Sequence, residues 1–351
     1  MKILFSSLHF YPSIGGSETN AEILAGEFTK LNHQVIVVTQ TSDLNKEEKK
    51  RSFPFQVVRQ PSPIELVRLV MWSDVCIHNG IMLTQAWPLL IIRRPWVIRH
   101  QVWLRSIDGT LGKVGGNENH WKVQLKHFVT RFATSISISH AIADHLHHPA
   151  TVIPNPYRNN LFRILPNVSR IKELVFLGRL VSEKGADVLL RALSQLQSYN
   201  LCPQLTIIGT GPEQKNLIQM ASELGIKQQV DFAGVKIGDP LVKALNEHQI
   251  MVVPSIYHEP FGVVALEGIA CGCVVIGSAG GGLKDAIGPC GMTFPNGDVE
   301  ALTQALYRLL TKPQQLADYR ARAAVHLARH DKTQVARQYL QVMEQALWPT
   351  S

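Results

Sequence analysis

Residues 173–196 read ELVFLGRLVSEKGADVLLRALSQL. A short continuous apolar run ends in glycine, a polar loop follows, and then apolar positions recur at helical spacing. That order predicts a buried strand at 173–178 delivering a loop into a helix at 186–196. The pattern repeats on the C-terminal side, with strands expected at 204–209, 229–234, 248–255 and 273–278 and helices near 213–224 and 262–271. It also repeats on the N-terminal side. KILFSS (2–7), QVIVVTQ (34–40), FQVVRQ (55–60), DVCIHN (74–79), PWVIRH (95–100), SISIS (135–139) and TVIP (151–154) read as strands, and 17–31 reads as a helix. Short apolar strands alternating with helices signal parallel sheets covered on both faces.

A chain of 351 residues exceeds one ordinary domain. Two prolines at 154 and 156 place the boundary, giving Rossmann-like doubly wound domains over 1–156 and 157–334. A closing helix at 335–351 is expected to return to the first domain. Such sheets bind ligands at the carboxyl ends of their strands, so two of them suit an enzyme with two substrates meeting across a cleft.

The composition is that of a folded globular chain, 45% hydrophobic and 18% charged. No stretch has the apolar length of a spanning helix, and Pro12 with Gly15-Gly16 interrupts the apolar start too early for a signal peptide. The five cysteines form no CxxC pair, and Cys271-Gly-Cys273 has no second ligand pair nearby, which points to free thiols in a reducing compartment and no metal site. Charge is uneven: residues 1–165 hold 18 Lys and Arg against 11 Asp and Glu, residues 166–351 17 against 16. Without aromatic interleaving this basic half argues against nucleic acid, and toward an anionic membrane surface or a phosphorylated acceptor.

The chemistry concentrates in Glu259-Pro-Phe-Gly-Val-Val-Ala-Leu-Glu267. Phe261, Gly262, Val263 and Val264 fall at a helix start, where free N–H groups and the dipole favour an anion. Glu259 precedes that helix and suits sugar hydroxyls. Glu267 lies among apolar residues, where a carboxylate needs a partner. The loop 178–187 carries Gly178, Arg179 and Lys184, two cations suited to a leaving diphosphate. No Asp-x-Asp pair is present to hold a divalent metal. Gly209-Thr-Gly211 begins like a dinucleotide fingerprint, but Gln214 stands where the third glycine belongs, so it is weak as an NAD signal. Glycines 280–282 suit a backbone nest for phosphate.

These segments, in this order, resemble the family 4 retaining glycosyltransferases of GT-B architecture, with their E-x7-E signature. The resemblance spans nearly the whole chain. It implies transfer of a hexose from a nucleotide-diphosphate sugar, UDP-glucose foremost and GDP-mannose next, to a saccharide or lipid-linked acceptor, with no cofactor and no metal. It implies Arg179, Lys184 and Glu259 as catalytic-site residues, joined by His100 at the end of the fifth strand. It places Gly15 and Gly16 over the diphosphate, Gly209, Gly211, Val235 and Lys236 beside the nucleotide, and Glu267 at its nucleoside end. Arg99, Trp103 and Arg105 are candidates for the acceptor side. Asn155 departs from the glycine common among relatives. The expected setting is cytoplasmic, peripheral at the inner face of the cell membrane. A nucleotide-sugar epimerase on the same scaffold and a non-catalytic nucleotide-sugar or glycan-binding protein are the rival readings. A phosphorylase would need a lysine-bound pyridoxal phosphate, and no segment commends one.

Overall fold

A computed structural model describes residues 1–13, 15–42, 51–103, 120–146 and 148–347, without the side chains of 120–123 and 127. The chain divides into two compact units, Met1–Pro156 with Asp331–Ser351, and Tyr157–His330.

The first unit carries seven strands: β1 (Lys2–Ser7), β2 (Gln34–Thr39), β3 (Gln56–Arg59), β4 (Val75–Asn79), β5 (Trp96–His100), β6 (Thr134–Ser137) and β7 (Thr151–Val152). They form one parallel sheet in the order β3-β2-β1-β4-β5-β6-β7. Its helices are α1 (Gly16–Lys30), α2 (Pro63–Trp72), α3 (Leu83–Ala86), α4 (His120–Val129) and α5 (His140–Ala143). Strand alternation sorts the core into two layers. Ile3, Phe5, Val35, Val37, Ile77 and Val97 pack against α1 and the closing helix. Leu4, Ile36, Val38, Cys76, Trp96 and Ile98 pack against α2, Ala86 and Val129.

The second unit repeats the plan with β8 (Lys172–Leu177), β9 (Leu205–Ile208), β10 (Val230–Gly234), β11 (His248–Val253), β12 (Val274–Ser278) and β13 (Gly291–Phe294). The order β10-β9-β8-β11-β12-β13 is again all parallel. Helices α6 (Ala186–Leu196), α7 (Gln214–Glu223), α8 (Asp239–Glu247), α9 (Val263–Ala270), α10 (Leu283–Ile287), α11 (Val299–Thr311), α12 (Pro313–Ala321) and α13 (Ala323–Ala328) flank it. Leu189, Leu193 and Leu196 of α6 join Leu174, Phe176, Leu205, Ile207, Ile250 and Val252 in one apolar layer. This is the doubly wound α/β class expected of both halves.

Two differences from the sequence reading have physical causes. The strand β13 escaped notice because GMTF is short, opens on glycine and has little apolar patterning. The chain leaves the second unit at His330 rather than near 334, because Asp331 starts the next helix. Its carboxylate accepts from the N–H groups of Thr333 (2.9 Å) and Gln334 (3.0 Å), capping α14 (Lys332–Leu347).

Candidate functional site

In the second unit the expected residues gather at the carboxyl ends of β8, β9 and β11. The polar centre is Glu259, only 7% exposed. One carboxylate oxygen accepts from the Lys184 ammonium at 2.5 Å and the Ser255 hydroxyl at 2.8 Å, and the other accepts from the Tyr257 hydroxyl at 2.6 Å. The Lys184 nitrogen also lies 5.0 Å from the Tyr257 ring centroid, within range of a cation–π contact. Burial, then the Glu259 charge, pushes the Tyr257 hydroxyl well above its ordinary range. It therefore stays protonated and donates.

Backbone contacts hold this carboxylate in place. The Ile256 N–H donates to the Glu183 carbonyl at 2.9 Å, tying the loop after β11 to the loop after β8. The Gly282 N–H donates to the Glu259 carbonyl at 2.7 Å. Gly281 sits at φ 81°, and a Cβ there would lie 2.3 Å from that same carbonyl oxygen. The Asn296 side chain completes the brace. It accepts from the Gly280 N–H at 2.7 Å and donates to the carbonyls of Ile256 (3.1 Å) and Tyr257 (3.3 Å).

Arg179 is exposed at the end of β8 and, among the described residues, forms no ion pair. Its guanidinium is available to an outside anion. Gly178 precedes it. Gly209 and Gly211 fit the neighbouring loop: a Cβ would meet the carbonyl oxygen of Gly178 at 1.9 Å and that of Leu180 at 2.2 Å. The two glycines are needed first for packing of backbone on backbone. Val235, 60% exposed, and the half-buried Lys236 follow the edge strand β10.

Helix α9 begins after Gly262, with half-buried Val263 and Val264 in its first turn and Phe261 buried before it. The N–H groups of that turn have no carbonyl earlier in the helix to bond. Glu267, one turn further on, has a side chain 12% exposed and lies 3.6 Å from the Arg158 guanidinium. Burial pushes its carboxyl up to about 7, with Arg158 opposing. The sequence reading foresaw that Glu267 needs a partner and did not name Arg158, which is 109 positions away in the chain. Ser255, Tyr257 and Asn296 were missed as well. Ser255 and Tyr257 are four and two residues from Glu259, but only the turn shows that their hydroxyls point at it.

In the first unit, β5 ends on His100, buried, with one ring nitrogen 3.0 Å from the Ser135 hydroxyl. Ser135 in turn lies 2.7 Å from a ring nitrogen of His148. Gly15 and Gly16 open α1. Asn79 donates to the Ser17 hydroxyl at 3.1 Å and to the Ser7 hydroxyl at 3.1 Å, holding that helix start to β1. Trp103 packs edge-on to His145, ring centroids 5.1 Å apart. Arg105 lies outside the described residues.

Arg99 requires a correction. It was expected on the acceptor side, yet it is fully buried. Strand alternation turns it away from the face of His100 and toward α14. Its Nε donates to the Tyr339 hydroxyl at 2.7 Å, one terminal nitrogen to the Asn79 side-chain carbonyl at 3.1 Å, and the other to Asn155. Asn155, the departure from glycine, thus has a structural purpose. Arg99 organises the interior and lines no open surface.

Among the described residues no group of three His, Cys, Asp or Glu side chains is placed to hold a metal ion. No helix there is long and apolar enough to cross a membrane. The five cysteines are free thiols.

Residues 158–326, nearly the whole second unit, match the family model described as glycosyl transferases group 1. This stretch is similar to the group 1 glycosyltransferases over nearly the whole second unit. The chain is 39% identical over 117 residues to an uncharacterised glycosyltransferase of Methanocaldococcus jannaschii, covering 33% of this chain and 29% of that protein. The chain thus spans less than a third of that relative's length. It is 26% identical over 348 residues to the GDP-mannose-dependent alpha-(1-6)-phosphatidylinositol monomannoside mannosyltransferase of Mycolicibacterium smegmatis, covering 88% and 89% of the two chains. Its fold is similar to that of the Anabaena protein HepE solved with UDP, with a TM-score of 0.78 at 20% identity over 98% and 100% of the chains. HepE has also been solved with UDP-glucose. The likeness supports the GT-B fold class for the two units.

Proposed function

We propose that the chain is a retaining hexosyltransferase of the family 4 kind, taking its sugar from a nucleotide-diphosphate sugar without a metal. The observation that carries this reading is the Lys184–Glu259 pair just ahead of α9, with Arg179 exposed after β8, in the same loop that carries Lys184. Departure of a nucleoside diphosphate develops charge on phosphate oxygens. Arg179, Lys184 and the α9 N–H groups supply fixed positive potential for that charge.

Glu259 then positions the sugar. Three donors hold its carboxylate, which lowers its nucleophilicity and leaves one lone-pair site on the Tyr257-bound oxygen for a sugar hydroxyl. Glu267 serves the ribose end. The acceptor hydroxyl attacks the anomeric carbon on the face the diphosphate leaves. The C–O bond to phosphate breaks as the new one forms, and a phosphate oxygen takes the hydroxyl proton. No glycosyl-enzyme intermediate is required.

UDP-glucose is the donor we favour, since a protein of this fold binds it. GDP-mannose is the second reading, favoured by the mycobacterial relative that matches most of the chain. The acceptor is a saccharide or a lipid-linked sugar. Calorimetry with UDP-glucose, GDP-mannose and ADP-glucose in EDTA tests the site and names the donor together. Tight binding of one of them, weakened at least tenfold in Glu267→Ala, is expected. No binding of any, or binding only with a divalent metal, would overturn the reading.

A further inference from the structure

The exposed apolar side chains of the first unit are unevenly placed. Ile64 and Met71 on α2, Leu90 and Ile91 in the short turn before β5, and Phe128 and Phe132 at the end of α4 all stand in solvent, Ile91 at 75% and Phe132 at 61% exposure. Phe128 and Phe132 meet edge-on, ring centroids 5.4 Å apart, without cover. These segments share one side of the sheet, because Leu66 and Val70 of α2, Ala86 and Val129 pack inward on the same strand residues. Each therefore buries one apolar side and exposes another, which a purely solvated helix does not do. Helices α1 and α14, on the opposite side, contribute none of the exposed large apolar side chains.

Charge on this face is equally one-sided. Segments 63–72, 87–94 and 124–132 contain five Lys and Arg and a single Glu. Arg68, Arg93 and Arg131 are exposed and, among the described residues, form no ion pair. Arginines around exposed aromatic and aliphatic side chains suit the boundary of an anionic bilayer, where phosphates meet acyl chains. A second copy of the chain suits it poorly, because it would bring two sets of arginines together.

We propose that this face of the first unit docks on an anionic lipid bilayer. The apolar side chains enter the headgroup boundary and the arginines meet lipid phosphates. The docking deepens the lipid-linked half of the acceptor reading, although its evidence is independent of the transfer site.

Flotation of the full chain with phosphatidylglycerol–phosphatidylcholine vesicles, against phosphatidylcholine alone, tests it. The wild type should float with the anionic vesicles, and at least tenfold less with neutral vesicles or at high salt. The pairs Ile91→Ser with Phe132→Ser, and Arg93→Gln with Arg131→Gln, should each lose at least tenfold while keeping wild-type nucleotide-sugar affinity. A wild type that stays with neither vesicle, or an Ile91/Phe132 pair that floats unchanged, would overturn the docking. So would a dimer in light scattering that Phe132→Ser dissolves. A chain that binds donor but no vesicle defeats this proposal alone, and one that binds vesicles but no donor defeats the transfer reading alone.

Discussion

Arg99 in the first unit and Lys184 in the second are both cations at the carboxyl end of a parallel sheet, yet they differ in what remains unspent. Arg99 is sealed, and all three guanidinium nitrogens donate to neutral oxygens of Tyr339, Asn79 and Asn155. Burial pulls its pKa down. Lys184 has a side chain 29% exposed and a single carboxylate partner, leaving ammonium protons for a ligand. A charged side chain at a strand end marks a site only when its hydrogen-bonding capacity is unfilled and solvent reaches it.

Lys184→Ala puts this contrast under the greatest strain. It leaves the Glu259 carboxylate buried with two hydroxyl donors and no cation. Removing one partner of such a pair costs about 3 kcal/mol, and turnover should fall at least a hundredfold. Steady-state kinetics with the donor identified by calorimetry would check it. Turnover within threefold of wild type would remove Lys184 from the mechanism.

Arg99→Met should act on the fold and spare the site. It removes the donor that the Asn79 and Asn155 side-chain oxygens and the Tyr339 hydroxyl share, a cost of about 3 kcal/mol. Hydrogen exchange should show faster opening of β5 and α14, with the second unit unchanged. Nucleotide-sugar affinity should stay within twofold. A tenfold loss would mean that Arg99 reaches the donor, by way of Asn79 and the Ser17 helix start, and the contrast would fail.

Glu267 offers a pH test. Its carboxyl is held near 7 by burial, against an ordinary value of 4.5. Between those two values the folded chain keeps a proton that the unfolded chain has lost. Stability therefore falls as pH rises through that window and levels off above about 7, by on the order of 3 kcal/mol at most. Thermal melts at pH 5 and pH 8 should differ for the wild type and differ less for Glu267→Gln. Equal pH dependence in both would assign the shift elsewhere.

Tyr257→Phe should be the mildest change. It removes one donor from Glu259 and costs about 1 kcal/mol, keeping the ring under Lys184. A fewfold rise in KM with little change in kcat would fit positioning. A hundredfold loss of kcat would give the hydroxyl a direct role.

The alternation of apolar strands with amphipathic helices was enough to determine two parallel α/β units, since both periods are local properties of the chain. The order of motifs was enough to bring Lys184, Arg179, Glu259 and the α9 start to one end of one sheet, because parallel topology sends every such loop to the same edge. Tertiary structure decided the rest. Arg158 as the partner of Glu267, Asn296 as the brace of Glu259, and Tyr339 and Asn155 as the sinks for Arg99 are contacts between distant segments, and no spacing encodes them. The same holds for the exposed apolar face, where Phe128 and Phe132 look like core residues in sequence. Only the packing of α4 shows that Val129 already fills the inward side.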